Sequence, residues 1–151
     1  MDCQIRLATA LDAAAISLVT IRSLRESNAR DYPPDVIARV EQGFSPQGIL
    51  GLMAHRQVYV ATVDQQVVAT ASLDKDVVRS VFVDPHYQGR GIGRQLMGGI
   101  HAAAVDAGLD VLRVPSSITA EGFYLSLGYQ KIRDEFHGDE RTIIMHKRLT
   151  K

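Results

Sequence analysis

Val81-Phe82-Val83-Asp84-Pro85-His86-Tyr87-Gln88-Gly89-Arg90-Gly91-Ile92-Gly93-Arg94-Gln95-Leu96 passes from β-branched residues through three alternate glycines into a helical pattern. Val81-Phe82-Val83 ends a β-branched run, and Asp84-Pro85 leaves it. Beyond Gly93 the apolar residues recur at helical spacing, with Leu96, Met97, Ile100, Ala103, Ala104 and Ala107 on one face and Gly108 as the stop. The stretch is therefore a strand, a turn and a helix start. Glycines in the turn allow unusual φ values and let backbone N–H groups come close to a ligand. The unpaired N–H groups of the first helical turn point at one place. The helix dipole adds a partial positive charge there, usually worth about 0.3–1 kcal/mol to an anion. Arg90 and Arg94 add full charges, so a diphosphate is the natural guest. Taken alone, the glycines fit as well a turn needed only for tight strand–helix packing.

Other glycine-rich phosphate motifs fit worse. A P-loop ends in Gly-Lys-Ser/Thr, and here Gly93 is followed by Arg94-Gln95. A dinucleotide fingerprint counted from Gly89 or Gly91 meets Arg94 or Leu96 where its last glycine should stand.

Upstream of the turn, Val58 to Val63, Val67 to Leu73 and Val77 to Val83 alternate with short polar turns, which predicts an antiparallel meander. Earlier still come a short strand over residues 4–8 and a helix from Asp12 to about residue 27. A loop closed by Pro33-Pro34 precedes a short helix over residues 35–40. Gly43, Pro46 and Gly48 read as breaks before a helical turn at 49–55. Downstream lie a buried strand from Leu109 to Val114, a helix from Thr119 to Leu127, and strands at 129–133 and 142–149 joined by a polar loop. The order β-α-α-β-β-β-α-β-α-β-β predicts a mixed α/β fold over residues 1–151, with no repeat or linker.

Quoted in full, the opening stretch closely resembles the acetyl-CoA site of the GNAT superfamily of N-acetyltransferases. That family carries Gln/Arg-x-x-Gly-x-Gly/Ala between its fourth strand and third helix, and Gln88, Gly91 and Gly93 stand at the defining positions. The resemblance implies a single GNAT-like domain whose central, mostly antiparallel sheet splays between strands four and five and is flanked by helices. It implies that backbone N–H groups from Gly89, Arg90, Gly91, Ile92, Gly93 and Arg94 hold a pyrophosphate. It also implies that the Val81, Phe82 and Val83 strand pairs its backbone with the pantetheine arm as an added strand would.

A second string, Ser117-Ile118-Thr119-Ala120-Glu121-Gly122-Phe123-Tyr124-Leu125-Ser126-Leu127-Gly128-Tyr129, resembles the family's Ala-x-x-Phe-Tyr-x-x-x-Gly-Phe/Tyr signature. Many members have Asn where Ser117 stands. Ser117 either hydrogen-bonds the cofactor or caps the helix. The resemblance puts Tyr124 beside the sulfur. A phenol with a pKa of about 10 stays protonated at neutral pH and can protonate a departing thiolate, whereas a packing role would only touch the cofactor. The strand from Val77 to Val83 lacks the carboxylate base that many members carry; Asp74 and Asp76 read as turn residues and His86 as a loop histidine, so no base is assigned. The resemblance therefore implies an acetyl-CoA-dependent transferase acting on a primary amine, its alternative being a non-catalytic acyl-CoA-binding sensor or interaction module. In the family the first two helices wall the acceptor site, here residues 22–45 with Arg25, Glu26, Arg30, Asp31, Tyr32, Asp35 and Glu41. A homodimer through exposed strands is a frequent arrangement in the family.

Composition sets the outer bounds. Among 151 residues, 46% are hydrophobic and 23% charged, which excludes broad disorder. A formal net charge of zero gives no global field for nucleic acid or an anionic membrane, so neither is expected as a partner. Cys3 is the sole cysteine, and none of the histidines form a helical i, i+4 pair, so no metal is expected. No Gly-x-Ser-x-Gly hydrolase elbow occurs. The absence of a basic-then-apolar leader and of a long apolar run makes a cytoplasmic protein the expectation.

Overall fold

The computed structural model describes residues 2–149. A seven-stranded sheet runs in the order β1-β2-β3-β4-β5-β7-β6, with β1 Cys3–Leu7, β2 Gln57–Val63, β3 Gln66–Asp74, β4 Val77–Val83, β5 Val111–Ser117, β6 Gln130–His137 and β7 Glu140–Arg148. Every neighbouring pair is antiparallel except β4 and β5, which are parallel. The β2–β3–β4 meander is as expected. Its first turn, Asp64-Gln65, has both φ values positive (51° and 66°), the geometry that matches the twist of two paired strands.

Among the described residues, five α-helices flank the sheet: α1 Ala13–Glu26, α2 Pro34–Glu41, α3 Pro46–Met53, α4 Ile92–Asp106 and α5 Glu121–Ser126. The apolar stripe of α4, made by Leu96, Met97, Ile100 and Ala104, is buried against Ala69, Ala71, Leu73 and Val78 on one face of the sheet. Phe123 and Leu127 of the α5 segment join that cluster. On the other face, α1 and α3 bury Ile16 and Ile49 against Val58 and Val60. A third cluster of Leu24, Tyr32, Val36 and Ile37 reaches Phe82 and Ile118.

Three boundaries differ from expectation. Pro46 opens α3 instead of breaking the chain: it sits in the first turn, where its missing N–H costs nothing, and the Ser45 hydroxyl accepts the Gly48 N–H at 3.1 Å. β5 continues through Pro115 to Ser117. A proline is tolerated there because β5 has no ladder partner on its β4 side beyond Arg113. The polar loop expected between residues 133 and 142 is mostly strand: β6 runs on to His137 and β7 starts at Glu140, which leaves only the exposed Gly138-Asp139 turn between them. Asp134 pairs with Lys131 at 3.0 Å and with Arg141 at 3.1 Å.

Candidate active site

The site begins with a separation of strands. β4 and β5 share one residue pair, Val77 with Arg113, and then part, while β5 stays on β7 along its whole length from Val111 to Ser117. This is the splay between the fourth and fifth strands. A β-bulge sits in β4 where the gap opens: Ser72 pairs Arg79 and Thr70 pairs Phe82, so Ser80 and Val81 together face Ala71. Ser80 takes φ of 56°, unusual for a side chain of this kind. The Asp84 N–H donates to the Val68 carbonyl at 2.8 Å, so by alternation the Val83 N–H and C=O face the gap. The Gln88 amide donates to that carbonyl at 3.1 Å, which leaves the Val83 N–H as the group without a strand partner.

At the far end of β4 the chain makes its turn. Asp84, buried, accepts the His86 N–H at 2.9 Å and the Arg22 guanidinium at 3.4 Å, which anchors the exit from the strand. Gly89 and Gly91 have φ of 77° and 80°, the left-handed region that a side chain disfavours. A Cβ at either would meet nothing within 4 Å, so the space over them is open. Gly93 is different: a Cβ there would lie 3.3 Å from the Phe123 ring and 3.5 Å from Val83, so this glycine lets α4 pack closely against β4 and α5. The first α-helical bond of α4 is Gln95 N–H to Gly91 C=O, and no side chain caps the helix. The N–H groups of Ile92, Gly93 and Arg94 thus have no partner within the helix.

Both features open into one cleft of about 1180 Å³. Val81, Phe82, Val83, Gln88, Gly89, Gly91, Ile92, Gly93, Arg94, Ser117 and Tyr124 all line it. Arg90 does not; its guanidinium stacks over the Tyr87 ring at 5.4 Å. The Gln88 side chain also bonds Ser27 at 3.1 Å, so it braces the turn onto α1 rather than presenting a free amide. The Ser117 hydroxyl accepts the Ala120 N–H at 3.1 Å, which closes the turn ahead of α5; the helix itself has no side-chain cap.

Tyr124 is buried, with its ring edge-on to Phe123 at 5.3 Å and to Tyr129 at 5.4 Å. The Tyr129 hydroxyl is engaged by His101 at 2.8 Å, while no hydrogen bond to the Tyr124 hydroxyl is found among the described residues. Burial first, and the neighbouring Tyr129 second, push the Tyr124 phenol far above its ordinary value. It therefore stays protonated throughout the neutral range.

The helix pair over the other face does wall the cleft, through Leu24, Val36, Ile37, Val40 and Phe44 together with Tyr32. Of the charged residues expected there, Arg25, Glu26, Arg30, Asp31, Asp35 and Glu41 do not line it; Arg25, for instance, is spent on Glu41 at 2.8 Å. The apolar stripe of α2 faces the cleft and its polar side faces out. Arg56, Arg79 and Ser80 line the same cleft and were not picked out by sequence reasoning. Arg56 lies 24 positions from Ser80, with no motif to connect them. Among the described residues no group of acidic, histidine or cysteine side chains is arranged to hold a metal.

Comparison with known proteins agrees with this geometry. A family model described as the acetyltransferase (GNAT) domain matches residues 28–149. The chain is 26% identical over 134 residues to the uncharacterized N-acetyltransferase YafP of Escherichia coli K12, covering 89% of this chain and 85% of that one. Its fold is similar to a GCN5-related N-acetyltransferase from Rhodopseudomonas palustris (TM-score 0.93, 22% identity, 99% and 97% of the two chains). It is also similar to the PaiA N-acetyltransferase of Thermoplasma acidophilum, solved in complex with coenzyme A (TM-score 0.82, 18% identity, 98% and 99%). With the splayed strands, the uncapped glycine turn and a family match over most of its length, this chain belongs to the GNAT superfamily of N-acetyltransferases.

Proposed function

We propose that the chain moves an acetyl group from acetyl-CoA directly to a primary amine, with Tyr124 as the general acid. One observation carries the reading: a buried, protonated phenol and an uncapped glycine-rich helix start open into one cleft. The cradle fits a diphosphate, because open space lies over Gly89 and Gly91 and the first-turn N–H groups of α4 have no partner within the helix. The coenzyme A complex of the Thermoplasma protein supports the same guest in the same fold.

Acetyl-CoA, when bound, supplies an acyl group activated as a thioester. Gly89 and the Gly91–Arg94 segment hold its pyrophosphate, and Arg94 adds charge. Val81, Phe82 and Val83 hold the pantetheine arm along the unpaired side of β4, the free Val83 N–H being the donor. Backbone N–H groups in the Val81–Val83 segment polarise the carbonyl in the manner of an oxyanion hole. The neutral amine forms the new C–N bond and the C–S bond breaks. The Tyr124 hydroxyl protonates the sulfur, the amine's proton goes to water, and a proton returned from water restores the phenol, so that one turnover leaves Tyr124 as it began. The same dry surroundings that raise the phenol also raise the basicity of a thiolate held there.

Tyr124→Phe tests the role. Acetyl-CoA affinity, measured by calorimetry, should hold, while kcat for CoA release falls about 100-fold. Unchanged turnover would remove Tyr124 from the chemistry.

A further inference from the structure

The acceptor half of the cleft carries an unusual charge arrangement. Arg79 of β4 follows core residue Val78, and Arg113 of β5 stands between core residues Leu112 and Val114. Alternation along a strand therefore sends both guanidinium groups to the opposite face, the one that α1 and α2 cover in part. Arg56, from the segment between α3 and β2, reaches the same place and donates to the Ser80 hydroxyl at 3.1 Å. Ser80 is the left-handed residue of the β4 bulge, one position before Val81.

The charges in this corner do not balance. Arg113 has Asp76 at 3.3 Å, and Arg79 has Asp74 at 3.3 Å. Arg56 makes no ion pair among the described residues, although it stands close enough to feel both Arg79 and Asp74. Three guanidiniums thus meet two carboxylates. Arg56 is also half-buried, and its burial and the nearby Arg79 both work against its charge. A guanidinium kept in such a place without a carboxylate is costly unless something else completes it. Its planar fork matches a carboxylate in a way that a single ammonium does not.

We propose that Arg56, seated on Ser80, binds the carboxylate of the acceptor, so that the acceptor is a free amino acid or a similarly small amino-carboxylate. This rests on the transferase reading above and narrows its substrate. Ser80, on which the anchor sits, precedes Val81, which lines the reaction cleft, and an α-amino group is close to its own carboxylate. A polyamine or an aminoglycoside has no group to complete the third guanidinium. A long protein N-terminus places its nearest carboxylate only by chance of sequence.

The test uses the whole chain with acetyl-CoA, the twenty proteinogenic amino acids and their methyl esters, reading release of free CoA. The best free amino acid should exceed its own methyl ester in kcat/KM by about tenfold or more, the worth of a charge-assisted hydrogen bond. Arg56→Gln should abolish that preference by raising KM for the acid while leaving the ester rate and the KM for acetyl-CoA in place. Arg56→Lys, which keeps the charge and loses the fork, should recover part of it. Equal rates on acid and ester in the parent protein would overturn the carboxylate site and leave the transferase reading standing. A loss of both rates together in Arg56→Gln would also overturn it, since that marks a structural role. If no amine releases CoA, calorimetry with N-acetylated amino acids decides. Binding that disappears in Arg56→Gln supports the site and sinks the transferase reading, whereas no binding sinks the site.

Discussion

Gly91 and Gly93 stand two positions apart and serve different needs. Gly91 holds φ of 80° with open space above it, so its reason is backbone conformation. Gly93 has an ordinary φ, and its reason is the Phe123 ring 3.3 Å from where a Cβ would be. Gly91→Ala should therefore cost about 1–2 kcal/mol of stability from the left-handed conformation alone. It should also raise the KM for acetyl-CoA, because the N–H groups of the turn would be re-aimed. Gly93→Ala should instead press on Phe123, which lies edge-on to Tyr124, and lower kcat more than it changes that KM. Thermal melts and steady-state kinetics on both variants check the split, and identical kinetic profiles would contradict it. The sequence shows three alternate glycines and cannot tell a conformational glycine from a packing one. That difference comes from α5, whose Phe123 lies 30 positions from Gly93 in the chain. Arg56 and Ser80 were illegible for the same reason: the contact is made by the fold, and neither residue type carries a motif.

At the level of elements, the strand–turn–helix at residues 81–96 was legible because the apolar period changes from two to 3.6 across a run of glycines. The β4 bulge was not. Val77-Val78-Arg79-Ser80-Val81-Phe82-Val83 suits a plain strand at every position, and the left-handed φ of Ser80 has no local signal. Helix α3 was misread because Pro46 and Gly48 look like breakers. Position decides their meaning, since a proline in the first turn gives up an N–H that would have been unpaired anyway. The Ser45 cap then fixes where the helix starts. Ser45→Ala should cost about 1 kcal/mol in urea unfolding. The loss should come without change in acetyl-CoA binding, since Ser45 is not among the residues that line the cleft. A neutral substitution would mean that Ile49, buried between α1 and β2, sets the helix start instead.

Across the whole molecule, the sheet is nearly two sheets. β1 to β4 form one half, and β5, β7 and β6 the other, joined at one end by the Val77–Arg113 pair and by the Arg113 N–H to Asp76 C=O bond at 3.0 Å. At the other end the α1–α2 connection and α2 do the joining. The Tyr32 hydroxyl donates to the Arg141 carbonyl at 2.6 Å and accepts the Ile118 N–H at 2.8 Å. Asp31 takes the Thr119 hydroxyl at 2.7 Å, and Arg39 pairs with Glu140 at 3.0 Å. The two ion-paired or hydroxyl contacts are exposed and therefore weak, so Tyr32, which is buried, is the principal tie. Tyr32→Phe keeps the ring and removes both hydrogen bonds, leaving the Ile118 N–H and Arg141 carbonyl without that partner. The loss should be about 1–3 kcal/mol. Its signature is spatial: amide hydrogen exchange should quicken in β5, β6, β7 and α5 while β1 to β3 stay as protected as before. A ligand that bridges the gap between β4 and β5 would tie the halves in Tyr32's place. Saturating acetyl-CoA, at about 100 times its Kd, adds about 2.7 kcal/mol to the folded state and should return protection to that half first. Exchange that quickens evenly over both halves would mean that Tyr32 serves the general core instead of the joint.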